Sequence, residues 1–97
     1  MAIQMRRYEL VPEQQDNFIA WWADVPAGRA GFGMTVLAAY VDRVKHEFTW
    51  IVECDGDAAT FAAAEAVWMG SPERAKLFAG QPKHAELIHV SMVDKIY

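Results

Sequence analysis

The sequence predicts an α+β domain in which one four-stranded antiparallel sheet carries its helices on a single face. Two observations predict it. Apolar periodicity switches between strand-like and helix-like in the order strand, helix, strand, strand, helix, strand. The two middle strands are joined only by Asp42-Arg43-Val44-Lys45, a connection short enough to require an antiparallel hairpin. Two βαβ-like halves of this kind close into one sheet covered on one side. At 97 residues the chain has room for a single domain, residues 1–97.

Each element follows from local chemistry. Residues 3–10 carry aliphatic and aromatic side chains ahead of Pro12 and read as the first strand. Pro12 suits a first helical position, and Glu13 and Asp16 suit a helix N-terminus. Phe18, Ile19, Trp22 and Val25 recur at helical spacing, predicting a helix over 12–23 or slightly beyond. Pro26, Gly28, Gly31 and Gly33 are read as its end. Residues 32–42 are apolar on both faces, whereas 46–54 set Phe48, Trp50 and Val52 against Glu47, Thr49 and Glu53. Asp55-Gly56-Asp57 is a turn, with Asp57 placed to cap an Ala-rich helix that Gly70 stops. Ser71-Pro72-Glu73 restarts a short helix, and 86–97 alternate as the last strand.

A sheet with helices on one side ordinarily shows a polar opposite face. Here 32–41 is apolar on both faces and the outer strands are largely apolar, so the uncovered face must meet something. Two such sheets packed face to face close into a barrel across a dimer axis. A homodimer is therefore expected, and four Trp, five Phe, three Tyr and five Met in so short a chain add to that expectation.

Composition excludes several classes. Hydrophobic residues make up 54% and charged residues 23%, too apolar for a disordered chain. No apolar run approaches the roughly 20 residues a bilayer span needs, and the N-terminus lacks the order of a signal peptide. A soluble, cytoplasmic protein is expected, without a membrane partner. A net charge of −4 with no Lys/Arg cluster argues against nucleic acid. Cys54 is the sole cysteine, which rules out an internal disulfide and suits a buried, inert thiol. His46, His84 and His89 show no metal-ligand spacing, and no glycine-rich phosphate loop precedes a helix, so neither metal nor cofactor is expected.

Three stretches together resemble a NIPSNAP-type domain of the dimeric alpha-beta barrel, or ferredoxin-like, superfamily. They are Met5-Arg6-Arg7-Tyr8-Glu9-Leu10-Val11-Pro12, Phe48-Thr49-Trp50-Ile51-Val52 and Ser71-Pro72-Glu73-Arg74-Ala75-Lys76-Leu77-Phe78. The sequence departs from that pattern at Val52, where an aromatic often stands. The resemblance implies the barrel dimer and no single reaction. Haem-degrading monooxygenases of the same superfamily carry an Asn on the first strand, a Trp ending the long helix and an iron-ligating His. The corresponding positions here are Arg6, Trp68 and Phe78, so the resemblance supplies no axial imidazole.

Candidate site residues follow. Arg6 and Tyr8 share one face of the first strand, which the resemblance turns toward the helices. An Arg there either pairs with a carboxylate, among Glu53, Glu65 and Asp94, or binds an anion or enolate. Tyr8 either donates to a substrate oxygen or packs in the core. Trp22, Trp50, Phe61, Trp68 and Phe78 wall a pocket for a small aromatic ligand or simply form the core, with Trp68 favoured by the superfamily's pocket position. His89 is a candidate general base or a structural side chain, while His46 and His84 are expected at the surface. These residues support two readings: a small-molecule-binding homodimer, or a cofactor-independent monooxygenase, isomerase or cyclase acting on an aromatic or polyketide-like compound.

Overall fold

A computed structural model describes residues 1–97. Strands β1 (Ala2–Leu10), β2 (Thr35–Asp42), β3 (Glu47–Cys54) and β4 (Ala85–Val93) form one sheet in the order β2-β3-β1-β4, antiparallel at every pairing. Helices α1 (Gln15–Trp22), α2 (Val25–Ala30), α3 (Ala58–Met69) and α4 (Pro72–Phe78) complete the chain. This is the predicted ferredoxin-like α+β order.

Central strand β1 buries Ala2, Gln4, Arg6 and Leu10 on one side, in register with Cys54, Val52, Trp50 and, one step short of the end, Phe48 opposite Tyr8. Phe18, Phe61 and Trp68 descend onto that face from the helices, so the core is aromatic. The two predicted caps are formed. Asp57 Oδ1 accepts from the Thr60 backbone N–H at 2.9 Å, and Ser71 Oγ accepts from that of Arg74 at 3.1 Å.

The segment after the first helix differs from expectation. Residues 12–23 are not one helix: a 3-10 turn at Pro12–Gln14 leads into α1, and Trp22 is its last residue. Beyond it, where Pro26 and Gly28 were read as breakers, lies α2. Pro26 falls in the first turn, where its missing N–H has no partner to lose. Gly28 is required by packing, since a Cβ there would lie 2.6 Å from Cη2 of Trp68. The left-handed Gly33, φ +81°, then delays β2 until Thr35. The last strand starts at Ala85 and ends at Val93, four residues earlier than read. Gly28→Ala is expected to destabilise by up to about 2 kcal/mol: overpacking of about 1–3 kcal/mol, offset by the roughly 1 kcal/mol better helix propensity of Ala. Urea unfolding checks it, and an unchanged midpoint would mean that the Trp68 ring yields freely.

The other sheet face is bare. Leu37 and Tyr40 are 47% and 66% exposed, and Ile3, Met5, Ala38 and Ile51 are only half-buried beside them. On edge strand β4, Leu87, Val90 and Met92, opposite Tyr8, Arg6 and Gln4 and so on the helix side, are exposed too, as is Ile88. The apolar reading of 32–41 thus holds, but within one chain nothing covers the second face.

Candidate functional site

Between the sheet and the helices lies a cleft with a cavity of about 100 Å³. Its floor is built from alternate residues of β1 and β3, namely Arg6, Tyr8 and Trp50. Trp22 from α1, Arg29 from α2 and Trp68 from α3 form its walls. Phe78, 40% exposed, closes its outer side with the Arg74 guanidinium stacked 4.1 Å from the ring centre.

Arg6 is the hub of a polar network. Its Nη1 donates to Glu65 Oε1 at 2.7 Å and to Gln4 Oε1 at 3.0 Å, and its Nε donates to the Tyr8 hydroxyl at 2.9 Å. Gln4 Nε2 in turn donates to Glu65 Oε2 at 3.2 Å. Of the three carboxylates considered, Glu65 is the partner because it follows Phe61 by four residues and precedes Trp68 by three, on the helix face turned to the sheet. Glu53 stands opposite Ile3, on the bare face. Of the two alternatives, Arg6 takes the carboxylate partner, and it does so at the wall of a cleft that Tyr8 and Trp68 also line.

A second arginine completes the site. Arg29, only 3% exposed, lies 3.5 Å from Glu65 Oε1 through Nη2 and stacks 4.8 Å from the Trp50 ring centre. Burial pushes its pKa down to about 10, the Arg6 charge adds to the fall, and Glu65 opposes it. Sequence reasoning missed Arg29 because it sits among the supposed helix breakers. It also missed Trp21, whose Nε1 donates to the Leu77 carbonyl at 2.6 Å and pins α1 to α4.

Four expectations are corrected. His89 does not join Arg6 and Tyr8: it pairs with Arg7 on the opposite face, is exposed, and its Nε2 lies 3.2 Å from Ser91 Oγ. Strand alternation sends neighbouring positions to opposite sides, so no general base for the cleft comes from that residue. Phe61, 1% exposed, packs in the core and does not line the cleft. His84 is not at the surface. It is 5% exposed, edge-on to Phe18 at 5.2 Å and 4.8 Å from Trp21, because the Val11 N–H donates to the His84 carbonyl and draws it under α1. Burial lowers its pKa, so the ring favours the neutral form. His46, also expected at the surface, is half-buried with Nδ1 2.7 Å from Gln15 Oε1. Cys54 is buried as expected, and burial pushes its thiol pKa up, away from reactivity.

Fold and site together define a ferredoxin-like α+β domain with an aromatic, arginine-bearing cleft between its sheet and its helices. That fold is the one found in NIPSNAP domain proteins. A NIPSNAP domain protein from Burkholderia xenovorans superposes with a TM-score of 0.71 at 15% identity, over 96% of this chain and 90% of that one. A structural-genomics protein from Agrobacterium tumefaciens gives 0.79 at 13% identity, over 97% and 92%. An antibiotic biosynthesis monooxygenase gives 0.68 at 17% identity, over the full length of both chains. No protein-family model matches the sequence, and no curated protein matches it.

Proposed function

We propose that the chain is a NIPSNAP-like homodimer that binds a small molecule in the cleft between sheet and helices. The observation that carries this reading is the cleft itself: indole walls from Trp22, Trp50 and Trp68 around a hydrogen-bonded Arg6–Tyr8 pair. Apolar walls with a few convergent polar groups are the common form of a small-molecule site. The bare apolar sheet face supports the homodimer, because an exposed patch of that kind ordinarily marks an interface. No helix is long and apolar enough to cross a membrane, and a cytoplasmic location is part of the proposal. Native mass spectrometry of freshly purified protein tests both parts. A dimer that releases a small mass on denaturation is the expected result, and a monomer without one would overturn the reading.

A second reading, a cofactor-independent enzyme of the monooxygenase, isomerase or cyclase type, is favoured by one geometric detail. The Tyr8 hydroxyl accepts from Arg6 Nε, so its own proton stays available for a substrate oxygen. One of the structures sharing the fold is an antibiotic biosynthesis monooxygenase. Oxygen uptake with hydroquinone-type compounds distinguishes the two readings: turnover lost in Tyr8→Phe supports the enzyme, and binding without turnover supports the first reading.

A further inference from the structure

The polar wall of the cleft holds two guanidinium groups against one carboxylate, so it carries an excess positive charge. The compensation is uneven. Arg6 has Glu65 at 2.7 Å and completes bonds to Gln4 and Tyr8. Arg29 reaches the same carboxylate only at 3.5 Å, and its Nη1 meets nothing better than the Met34 thioether sulfur at 3.4 Å. Its Nε is closed off from solvent and hydrogen-bonds to no protein atom. A guanidinium has five N–H donors, and a side chain 4% exposed with so few acceptors is an under-supplied buried cation. Stacking on Trp50 and Trp68 offsets part of that cost but supplies no acceptor.

The surroundings repeat the pattern. The indole N–H groups of Trp22 and Trp50 also hydrogen-bond to no protein atom, and both residues line the same cleft. Flat apolar walls with surplus donors suit a planar, weakly hydrated anion better than a strongly hydrated dianion such as phosphate.

We propose that the cleft is a site for a small organic carboxylate, with its oxygens held by Arg29 and its carbon skeleton against Trp22, Trp50 and Trp68. This rests on the small-molecule reading above and assigns the ligand class and the residue that holds its charge. Arg29 rather than Arg6 takes that role because Glu65 has already neutralised Arg6. A cavity of about 100 Å³ is smaller than the roughly 150 Å³ that encloses a benzene ring, so a larger skeleton extends outward past Phe78 and Arg74.

Titration of the full chain with benzoate and with benzyl alcohol, followed by the assigned indole N–H signals, tests the proposal. Benzoate is expected to shift the Trp22, Trp50 and Trp68 signals saturably and to bind roughly tenfold or more tighter than the alcohol, the worth of one charge-assisted hydrogen bond. Arg29→Gln is expected to abolish that preference, whereas Arg7→Gln, on the bare face, leaves it intact. Equal binding of the two probes by the unaltered chain overturns the carboxylate assignment and leaves the cleft as a small-molecule site. Displacement of benzoate by an equal concentration of inorganic phosphate also overturns it. Absence of a saturable shift with either probe overturns both readings. The comparison of the two probes decides the matter even where Arg29→Gln fails to fold.

Discussion

Glu65→Gln is expected to lower stability by about 2–3 kcal/mol, which for a domain of this size moves the thermal midpoint by roughly 10–20 °C. The two carboxylate oxygens of Glu65 serve Arg6, Gln4 and Arg29, two of them cations that burial keeps from water. Glutamine keeps the shape and one acceptor oxygen but removes the only negative charge in the network. The loss falls short of the 3–5 kcal/mol of a fully buried pair because the Glu65 side chain is 18% exposed and water reaches part of it. Removing one cation as well relieves the imbalance. Glu65→Gln combined with Arg29→Met should therefore be less destabilised than the sum of the two single changes, a coupling that a double-mutant cycle measures directly. Thermal unfolding at one fixed protein concentration is the appropriate readout, since self-association shifts the midpoint. A Glu65→Gln midpoint within a degree or two of the parent would show that the two arginines are solvated well enough to need no counter-charge.

The legible parts of this fold are those whose cause lies within a few residues. The hairpin follows from a four-residue polar connection, the starts of α3 and α4 from Asp57 and Ser71, and the sheet order from the element sequence. The site was half legible for the same reason. Arg6 and Tyr8 are two residues apart on a strand, so alternation alone puts them on one face, and the face is settled by the aromatics on β3. Arg29 and His84 were hidden because long-range packing decides them. Gly28 looks like a helix breaker until the Trp68 ring is seen to occupy the space its side chain would need. His84 looks like a loop histidine until Phe18 and Trp21 are placed over it. The Trp21-Trp22 pair was the available signal: adjacent residues on a helix point about 100° apart, so two neighbouring indoles imply packing on more than one side of α1.

Ile51→Asp is expected to convert the proposed homodimer into a monomer, seen by light scattering as a fall to the 10.9 kDa mass of one chain. Ile51 lies at the middle of the bare face, opposite Met5 on one neighbouring strand and Ala38 on the other. The molecule is a slab 18 Å thick with sides of 38 and 34 Å, the thickness of one sheet and one helical layer. A face of that size exceeds the about 800 Å² per partner that a stable association ordinarily buries. Its apolar centre is where burial contributes most, and a carboxylate there must either lose its water or hold the two copies apart. Val67→Asp supplies the contrast. Val67 is 61% exposed on α3, away from the sheet face, so the same charge there should leave the dimer intact. Dimers of both variants would rule out the sheet face as the interface, and the exposed row Leu87, Ile88, Val90 and Met92 on β4 would then be the surface to test, since an unpaired apolar edge strand must also be covered or kept from pairing.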